Sequence, residues 1–258
     1  MNIVNTLEES ITAAMEDFNT DLIKYYPYLF QDYWELGTPA NEIIKIIKKH
    51  KLDYLNLSVL DLGSGKGAVS VKIASELGCR CRGIDGMTDF VAFSKTQAKE
   101  YGVGDICHFE VNDVRTRIKS LGKYDVIILG AIGPVLGDFY QTLTILKDHL
   151  NKDGLVIMNE GYVEDGYTTD YPNVFQKGEI LEQINKSGME LIETITDDEF
   201  PELNEYLEFE AKNLEKRCNE LMETYPEDKN LLLKYIKRQK ELYHKLTNEV
   251  KSIIFVIK

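Results

Sequence analysis

Hydrophobic and polar positions follow two different periods along most of this chain. From residue 57 onward, short apolar runs typical of strands are each followed by a stretch with apolar residues at helical spacing. The run YDVIILG at 124–130 is nearly continuous in apolar residues, as in a strand covered on both faces. The alternation predicts a doubly wound α/β fold with a mostly parallel sheet. The predicted strands span residues 58–62, 80–84, 106–111, 124–129, 155–159 and 189–196. The residues NKDG at 151–154 are expected to form the turn that precedes the fifth strand.

Helical patterns flank this alternation at both ends. Residues 1–56 read as an N-terminal helical cap, in which Thr38 and Pro39 are expected to start a helix with the Thr38 hydroxyl as its cap. Residues 199–249 read as a pair of long charged helices divided near YPED, and the run SIIFVIK at 252–258 reads as a last strand. The predicted domains are therefore the cap at 1–56, an α/β domain at 57–198 and 250–258, and a helical insertion at 199–249.

Composition and charge narrow the classes of partner. The chain has 258 residues, is 43% hydrophobic and carries a formal net charge of −13, which is typical of a globular protein that does not bind nucleic acid. No apolar run reaches the roughly 18 residues of a membrane helix, and the acidic N-terminus does not resemble a signal peptide, so we expect a cytoplasmic protein. The four cysteines lack the spacing of a metal site and are expected to be buried, reduced thiols.

Alternate glycines mark the first strand-to-helix connection, which reads Asp61-Leu62-Gly63-Ser64-Gly65-Lys66-Gly67-Ala68. Without side chains, the backbone can take positive φ and approach a ligand closely. The helix that follows offers free N–H groups and the positive end of its dipole. Asp85 stands at the tip of the second strand, where an acid binds the ribose hydroxyls of a nucleoside.

Three interpretations of this turn compete on the residues alone. A phosphate-binding Walker loop lacks its Lys-Ser/Thr ending here, whereas a dinucleotide site fits the pattern G-x-G-x-x-A. A tight turn without a ligand is the third interpretation. Asp61 weighs against phosphate, because a carboxylate repels it but can hold an ammonium or sulfonium group. Asn112-Asp113-Val114 after the third strand could accept from an adenine amine.

The motifs VLDLGSGKGA, GID, NDV, YDVIILG and LKDHLNKDGLVIM follow one another, in order, between residues 58 and 159. This set resembles the motifs of class I S-adenosylmethionine-dependent methyltransferases. The resemblance implies a seven-stranded Rossmann-like sheet whose last strand is antiparallel and inserted beside the fifth. It also implies a donor-binding set in which Asp61 and the glycine backbone hold the methionine part, Asp85 the ribose, the next residues the adenine, and the segment after the fourth strand the methyl-donor pocket. In full this set comprises Asp61, Gly63, Gly65, Gly67, Asp85, Gly86, Met87, Asn112, Asp113, Val114, Gly130, Ala131 and Ile132.

The segment after the fourth strand departs from many small-molecule members of the family. It reads Gly130-Ala131-Ile132-Gly133-Pro134 and contains no titratable group, which argues against methylation of base amines in nucleic acid. Good positioning can supply much of the acceleration in methyl transfer, so the missing base does not exclude the reaction. Glu160 is the candidate general base, with an exposed loop acid as the alternative. Candidate lid or substrate contacts are Tyr26, Tyr33 and Trp34, which could equally be core packing of the N-terminal cap, and Tyr162 in the loop expected after the fifth strand.

The sequence therefore predicts an enzyme that transfers a methyl group from S-adenosylmethionine to a small molecule. An NAD-dependent oxidoreductase and a non-catalytic nucleoside-binding regulator are the alternatives. The helical pair could cover the substrate pocket or form the contact of a homodimer, since it exposes one apolar face.

Overall fold

The computed structural model describes residues 6–196 and 203–258. The predicted start of the helical insertion at Glu199 lies outside these residues. The helices are α1 (Leu7–Ala14), α2 (Tyr26–Leu29), α3 (Ala40–His50), α4 (Ala68–Leu77), α5 (Thr88–Glu100), α6 (Val114–Arg117), α7 (Phe139–Lys147), α8 (Lys177–Lys186), α9 (Leu203–Thr224) and α10 (Lys229–Asn248). The strands are β1 (Ser58–Leu62), β2 (Arg80–Asp85), β3 (Cys107–Val111), β4 (Tyr124–Gly130), β5 (Leu150–Val163), β6 (Phe175–Gln176), β7 (Leu191–Thr196) and β8 (Lys251–Ile257).

The strands form one sheet in the order β3-β2-β1-β4-β5-β8-β7, with the two-residue β6 paired to β5. The pairs from β3 through β5 are all parallel. Glu190 and Lys258 exchange both backbone hydrogen bonds, which is the pattern of an antiparallel pair, so β8 runs against β7. The Rossmann-like sheet, with a reversed last strand beside β5, is the fold that the sequence predicted.

Strand β4 lies at the centre of the core. Its residues Val126 to Leu129 are all buried, so protein atoms cover both faces of the sheet at this strand. On β8, Phe255 meets the ring of Phe139 from α7 edge to face at 5.6 Å between centroids. Helix α7 thus packs against β8 on one face of the sheet.

The predicted start of the fifth strand was wrong. Strand β5 begins at Leu150, which pairs with Tyr124, and the register then shifts before Leu155 pairs with Val126. The NKDG residues form an irregularity within the strand, where Asp153 takes φ of 61°. Bulges of this kind insert extra residues without ending the strand.

The predicted cap of α3 was also wrong. The N-cap residue is Pro39, no side chain caps this helix, and the Thr38 hydroxyl is directed elsewhere. At the other end, Lys49 and His50 both contact Glu193 at 2.7 Å, and Lys48 contacts Glu76. The basic cluster therefore satisfies the helix end and nearby carboxylates, as expected for cations at a helix C-terminus.

The chain divides into two compact units. The first comprises residues 1–33, 161–178 and 195–253, and the second comprises residues 34–160, 179–194 and 254–258. The second unit contains most of the sheet and is called the sheet unit here. The first contains the α9–α10 hairpin and is called the hairpin unit. The three-part domain division made from the sequence stays a prediction.

An aromatic cluster forms the core of the hairpin unit. Tyr26 is fully buried and lies 5.7 Å from the ring of Phe30 and 6.4 Å from that of Tyr235 on α10. Near the turn between the long helices, the Tyr25 hydroxyl donates to Asp228 at 2.5 Å. The N-terminal aromatic stretch is thus tied to the hairpin by ring packing and by a hydrogen bond.

We predict that Gly83→Ala destabilises the fold. Gly83 pairs with Phe109 across β2 and β3, and a Cβ at position 83 would lie 2.4 Å from the Phe109 ring and 2.7 Å from the Ser64 hydroxyl. Because a packed core resists insertion of even one methyl group, the free energy of unfolding should fall by about 1–3 kcal/mol in urea titrations. Gly122→Ala is the control, since nothing lies within 4 Å of its Cβ position. Equal stability of the two variants would contradict the packing described here.

Candidate functional site

The glycine turn leads from β1 into α4 with the backbone in left-handed conformations. Gly63 has φ of 69°, and a Cβ there would lie 2.4 Å from Cγ2 of Ile132. Gly65 has φ of 51° and faces Leu36, whose Cδ1 would be 3.2 Å from an added Cβ. Any side chain at these two positions would be strained and would also fill the space beside the turn. We call this turn, with its left-handed backbone and no side chains at the glycines, the cradle; its role in holding a ligand stays a prediction.

Asp85 at the tip of β2 closes one side of this cradle. Its carboxylate accepts the N–H of Gly65 at 2.8 Å through Oδ2 and the N–H of Met87 at 2.8 Å through Oδ1. Desolvation raises the pKa of Asp85, although these two hydrogen bonds oppose the shift. A carboxylate offers about four acceptor positions, so each oxygen keeps capacity for one further donor. A vicinal diol such as that of ribose would match this arrangement.

Asp61, near the end of β1, is only 3% exposed and accepts the Ser70 hydroxyl at 2.7 Å. Desolvation raises its pKa to about 6; the hydrogen bond from Ser70 lowers the pKa and the charge of Asp85 raises it further. At neutral pH the group is ionised but poorly solvated. A buried carboxylate of this kind favours a cation as its neighbour.

Asp113, at the tip of β3, is already engaged by its neighbours. Its side chain accepts the backbone N–H of Arg115 at 2.9 Å, which caps α6, and also pairs with the Arg115 guanidinium. The hydrogen bonds from Arg115 hold the pKa of Asp113 below its usual range. Beside it, the N–H of Asn112 donates to the carbonyl of Asp85 at 2.9 Å, and Val114 is buried. The β3 tip is thus anchored to the β2 tip.

The β4 tip has strained backbone but no titratable side chain. Ala131 takes φ of 53°, and its N–H donates to the carbonyl of Asn159 at 2.9 Å. Non-glycine residues at positive φ persist only where their surroundings hold them, and they are concentrated at functional sites. Ile132 packs beside Gly63, as described above, so the segment after β4 faces the glycine turn.

A cleft with about 360 Å³ of space free of protein atoms lies over this turn. We call it the glycine cleft; it is lined by Trp34, Leu36, Thr38, Asp61, Gly63, Ser64, Gly65, Lys66, Ala68, Val69, Ile128 and Gly130. The indole N–H of Trp34 donates to the Lys66 carbonyl at 3.0 Å, and its ring lies 5.0 Å from that of Tyr101. Of the predicted site residues, Asp61, Gly63, Gly65, Gly130 and Trp34 share this cleft directly. Asp85 reaches it through the hydrogen bond to Gly65.

Two hydroxyl groups in the glycine cleft have no hydrogen-bond partner in the described part of the chain. They belong to Thr38, which is 4% exposed, and to Ser64. An unsatisfied buried hydroxyl costs about 1–3 kcal/mol, so such groups commonly await a ligand or water. Sequence reasoning missed Thr38 as a site residue because its position before proline favoured a helix cap.

The predicted loop position of Glu160 was wrong, because β5 continues to Val163 and contains this residue, whose side chain is partly buried. Desolvation raises its pKa to about 8, and within residues 6–196 and 203–258 no hydrogen bond opposes this shift. Its environment thus differs from that of an exposed loop acid, which was the alternative interpretation of this residue. A carboxyl group with a pKa near neutrality can both accept and donate protons under physiological conditions.

The remaining aromatic candidates belong to the hairpin unit. Tyr26 lies in the aromatic core, the Tyr33 hydroxyl donates to the Glu210 carbonyl at 2.7 Å, and Tyr162 lies under Lys177 at 5.2 Å. All three are at least 95% buried, so core packing accounts for their positions. Their role as substrate contacts stays a prediction.

Neither a metal centre nor a membrane span is found within the described residues, 6–196 and 203–258. There, no group of three or more His, Cys, Asp or Glu side chains could hold a metal ion. None of the helices there combines the length and apolarity that crossing a bilayer requires.

Comparison with known proteins identifies the family. A family model described as "Methyltransferase domain" matches residues 55–253, which is more than half of the chain. The chain belongs to this methyltransferase family. A ubiquinone biosynthesis O-methyltransferase of Rickettsia felis (strain ATCC VR-1525 / URRWXCal2) is 26% identical over 204 residues, covering 71% of this chain and 77% of the relative.

Solved structures agree with this assignment at the level of the fold. A SAM-dependent methyltransferase from Thiobacillus denitrificans, crystallised with S-adenosyl-L-homocysteine, superposes with a TM-score of 0.74 at 20% identity, covering 91% of this chain and 98% of the other. YjhP of Escherichia coli superposes with a TM-score of 0.74 at 18% identity, covering 92% and 98%. Family and fold together confirm the prediction of a class I S-adenosylmethionine-dependent methyltransferase.

We predict that Thr38→Val changes stability and ligand affinity in opposite directions. Removing the unsatisfied hydroxyl should raise the free energy of unfolding by about 1 kcal/mol, because the cost of burying it disappears. If the hydroxyl binds the methyl donor, the same variant should bind S-adenosylhomocysteine roughly tenfold more weakly in calorimetry. Thr38→Ser keeps the hydroxyl and should retain the affinity. Unchanged affinity in the valine variant would show that the hydroxyl takes no part in the site.

Proposed function

We propose that this methyltransferase binds S-adenosylmethionine in the glycine cleft and transfers the methyl group to the hydroxyl of a small molecule. The observation that carries the proposal is the pairing of a side-chain-free turn with two desolvated carboxylates, Asp61 and Asp85. The sulfonium donor supplies an electrophilic methyl group when bound. The residues of the chain bind and orient the two reactants.

Different residues of the site bind different parts of the donor. Asp61 attracts the ammonium group of the methionine part, while the backbone of Gly63, Gly65 and Gly67 leaves room for it. The two free acceptor positions of Asp85 receive the ribose hydroxyls. Gly86 and Met87 flank the adenine, and Gly130, Ala131 and Ile132 line the methyl end. Thr38 and Ser64 add hydroxyl groups without partners among the described residues.

The adenine edge is proposed to face Asn112, Asp113 and Val114. Of these, Asp113 is the weakest candidate for accepting the exocyclic amine, because Arg115 already occupies its carboxylate. The backbone of the same segment binds the ring nitrogens in this proposal, because the Asn112–Asp85 hydrogen bond fixes its position. Adenine recognition is therefore assigned to the segment's backbone before its side chains.

A hydroxyl acceptor is supported by two observations. The Rickettsia felis relative is named an O-methyltransferase. An attacking hydroxyl must lose its proton, and Glu160 has a carboxyl group whose pKa is raised to about 8. In its ionised form this group would be a stronger base than an ordinary carboxylate. We propose Glu160 as the general base; Trp34, Tyr26, Tyr33 and Tyr162 stay candidates for lid or substrate contacts.

The same cleft disfavours the NAD alternative. A pyrophosphate would lie against the turn that Asp61 lines, and this buried carboxylate would repel it. The net charge of −13 and the ion-paired basic cluster of α3 also weigh against nucleic acid as the acceptor. NAD and nucleic acid, which both carry phosphate groups, therefore fit the molecule poorly.

We also propose a cellular compartment and an oligomeric state for the protein. All four cysteines are free thiols, which supports a reducing compartment such as the cytoplasm. On the hairpin, Phe209 and Leu233 are exposed apolar side chains that support a homodimer contact. A monomer in sedimentation analysis at micromolar concentration would contradict the dimer.

We predict that the wild-type protein binds S-adenosylhomocysteine in calorimetry and does not bind NADH. Asp85→Asn should weaken S-adenosylhomocysteine binding by about 10- to 150-fold, which corresponds to the roughly 1.5–3 kcal/mol of a hydrogen bond to a charged group. Asp89→Asn removes an equal charge from the exposed first turn of α5 and should bind as the wild type does. Binding of NADH, or unchanged affinity in Asp85→Asn, would refute the donor site.

We predict that Glu160→Gln stabilises the fold selectively at high pH. The folded protein holds the pKa of Glu160 near 8 against an ordinary value of 4.5, so the native state binds the extra proton between these values. Stability therefore falls as pH rises from about 4.5 to about 8 in the wild type, but glutamine cannot ionise. The variant should match the wild type at pH 5 and exceed it at pH 8.5 by at least about 1.4 kcal/mol, the free energy of one pKa unit.

The control is Glu164→Gln, because ion pairing to Lys251 lowers the pKa of Glu164. That carboxylate contributes stability above its unfolded pKa, so its replacement should give no gain at pH 8.5. In activity assays with labelled donor and an acceptor identified by mass from cell extract, Glu160→Gln should lose about 10²–10⁴-fold in kcat. The wild-type rate should rise with pH up to about 8. A variant of full activity would remove Glu160 from the mechanism.

A further inference from the structure

The hairpin unit contains a cavity of its own. It has about 690 Å³ of space free of protein atoms, part of it open to solvent, and lies among α9, α10 and the N-terminal segment. We call it the hairpin cavity. Its walls are mainly apolar and include Phe30, Tyr33, Leu214 and Leu242.

Contacts behind the walls hold the cavity open. Leu242 and Leu246 pack against Tyr171 and Val250 in a buried apolar cluster. On the other side, the hydroxyl of Tyr33 is fixed on the Glu210 carbonyl, and its ring meets Phe209 edge to face at 5.9 Å. These walls cannot collapse without breaking those contacts. An apolar space without packed atoms loses dispersion energy that a ligand of matching shape restores.

One acid in the wall is held in an unusual conformation. Glu16 follows α1 with φ of 57°, and the guanidinium of Arg238 donates to its backbone carbonyl at 2.6 Å. The Tyr171 hydroxyl donates to its carboxylate at Oε1. No described residue donates to Oε2. Surrounding groups therefore hold a carboxylate with one open oxygen at an apolar cavity.

Of the two nearby cations, one is paired with another acid and the second is shared between Glu16 and another acid. Lys240 bridges to Glu215 at 2.7 Å, and Arg238 lies 3.9 Å from Asp17 as well as near Glu16. The acidic side chains at the cavity outnumber the cations. A ligand with a positive group would complement this charge, whereas an anion would be repelled.

We propose that the hairpin cavity binds an apolar small molecule that carries one amino group, with its hydrocarbon part against Phe30, Leu214 and Leu242 and its amine at Glu16. The proposal concerns the hairpin unit alone and does not depend on the donor site. The ligand has two possible sources: the methyl acceptor itself or a separate effector.

The test uses two probes that share one ring system, 1-naphthylmethylamine and 1-naphthylacetate. Calorimetry on the full chain should show saturable binding of the amine at one site and at least tenfold weaker binding of the acetate. Glu16→Gln should reduce this difference at least threefold. Glu227→Gln removes a charge from the exposed turn between the long helices and should leave the difference unchanged.

Filling the cavity provides an independent check. Ala211→Trp, or Leu246→Trp if that variant does not fold, should abolish amine binding, because both positions line the cavity. Leu233→Trp places the same ring on the exposed face of α10 and should bind as the wild type does. Amine binding that survives both filling variants, or the absence of any binding to the wild type, would overturn the proposal.

Two readouts separate this proposal from the proposed function and identify the ligand's source. S-adenosylhomocysteine affinity should be the same in the filling variants and the wild type, so either site can fail without the other. Methylated amine detected by mass after incubation with S-adenosylmethionine would identify the bound amine as a methyl acceptor and would contradict a hydroxyl as the methylated group. Bound but unmethylated amine would support an effector site.

Discussion

The absence of side chains at the first strand-to-helix turn is the constraint on which the rest of this structure depends. Because Gly63 and Gly65 take positive φ, the chain can reverse within a few residues and bring the N–H of Gly65 to the carboxylate of Asp85. With the hydrogen bonds that the N–H groups of Gly63 and Ser64 donate to the Ile84 carbonyl, this bond ties the tips of β1 and β2 together. Through the Asn112–Asp85 bond, the tip of β3 joins them, so three strand ends form one rigid edge.

The electrostatics of this edge follow from burial. Asp61 and Asp85 both have raised pKa values because desolvation outweighs the hydrogen bonds they accept. A fold that holds two poorly solvated carboxylates near one turn gives up stability at neutral pH. A ligand with an ammonium group and a diol would supply favourable partners to both carboxylates, whereas a pyrophosphate would supply a partner to neither. The same feature thus explains why a glycine pattern shared with dinucleotide sites fits a different nucleoside here.

Local patterns in the sequence were sufficient for the fold and insufficient for parts of the site. The strands and their order could be predicted, since the period of apolar residues and the family motifs both point to one sheet. The start of β5 could not, because the shift of register at Leu150 depends on pairing with Tyr124. Thr38 was misinterpreted for a similar reason: a capping residue and a buried hydroxyl look alike until the packing around them is known.

The proposed role of Glu160 is the part of the site that the sequence could predict least, because no sequence pattern distinguishes a catalytic acid from an exposed one. Its type and its predicted place in a loop after the fifth strand suggested a base, whereas it lies within β5, and desolvation there raises its pKa to about 8. The segment after β4 contributes strained backbone at Ala131 and no titratable group, so it can shape the site without supplying a base. In the proposed mechanism the strand tips position the donor and one isolated carboxyl group takes the proton, so positioning supplies much of the acceleration. If the acceptor needs no deprotonation, the same edge would work without Glu160, and the acid would then cost stability at high pH without any catalytic return.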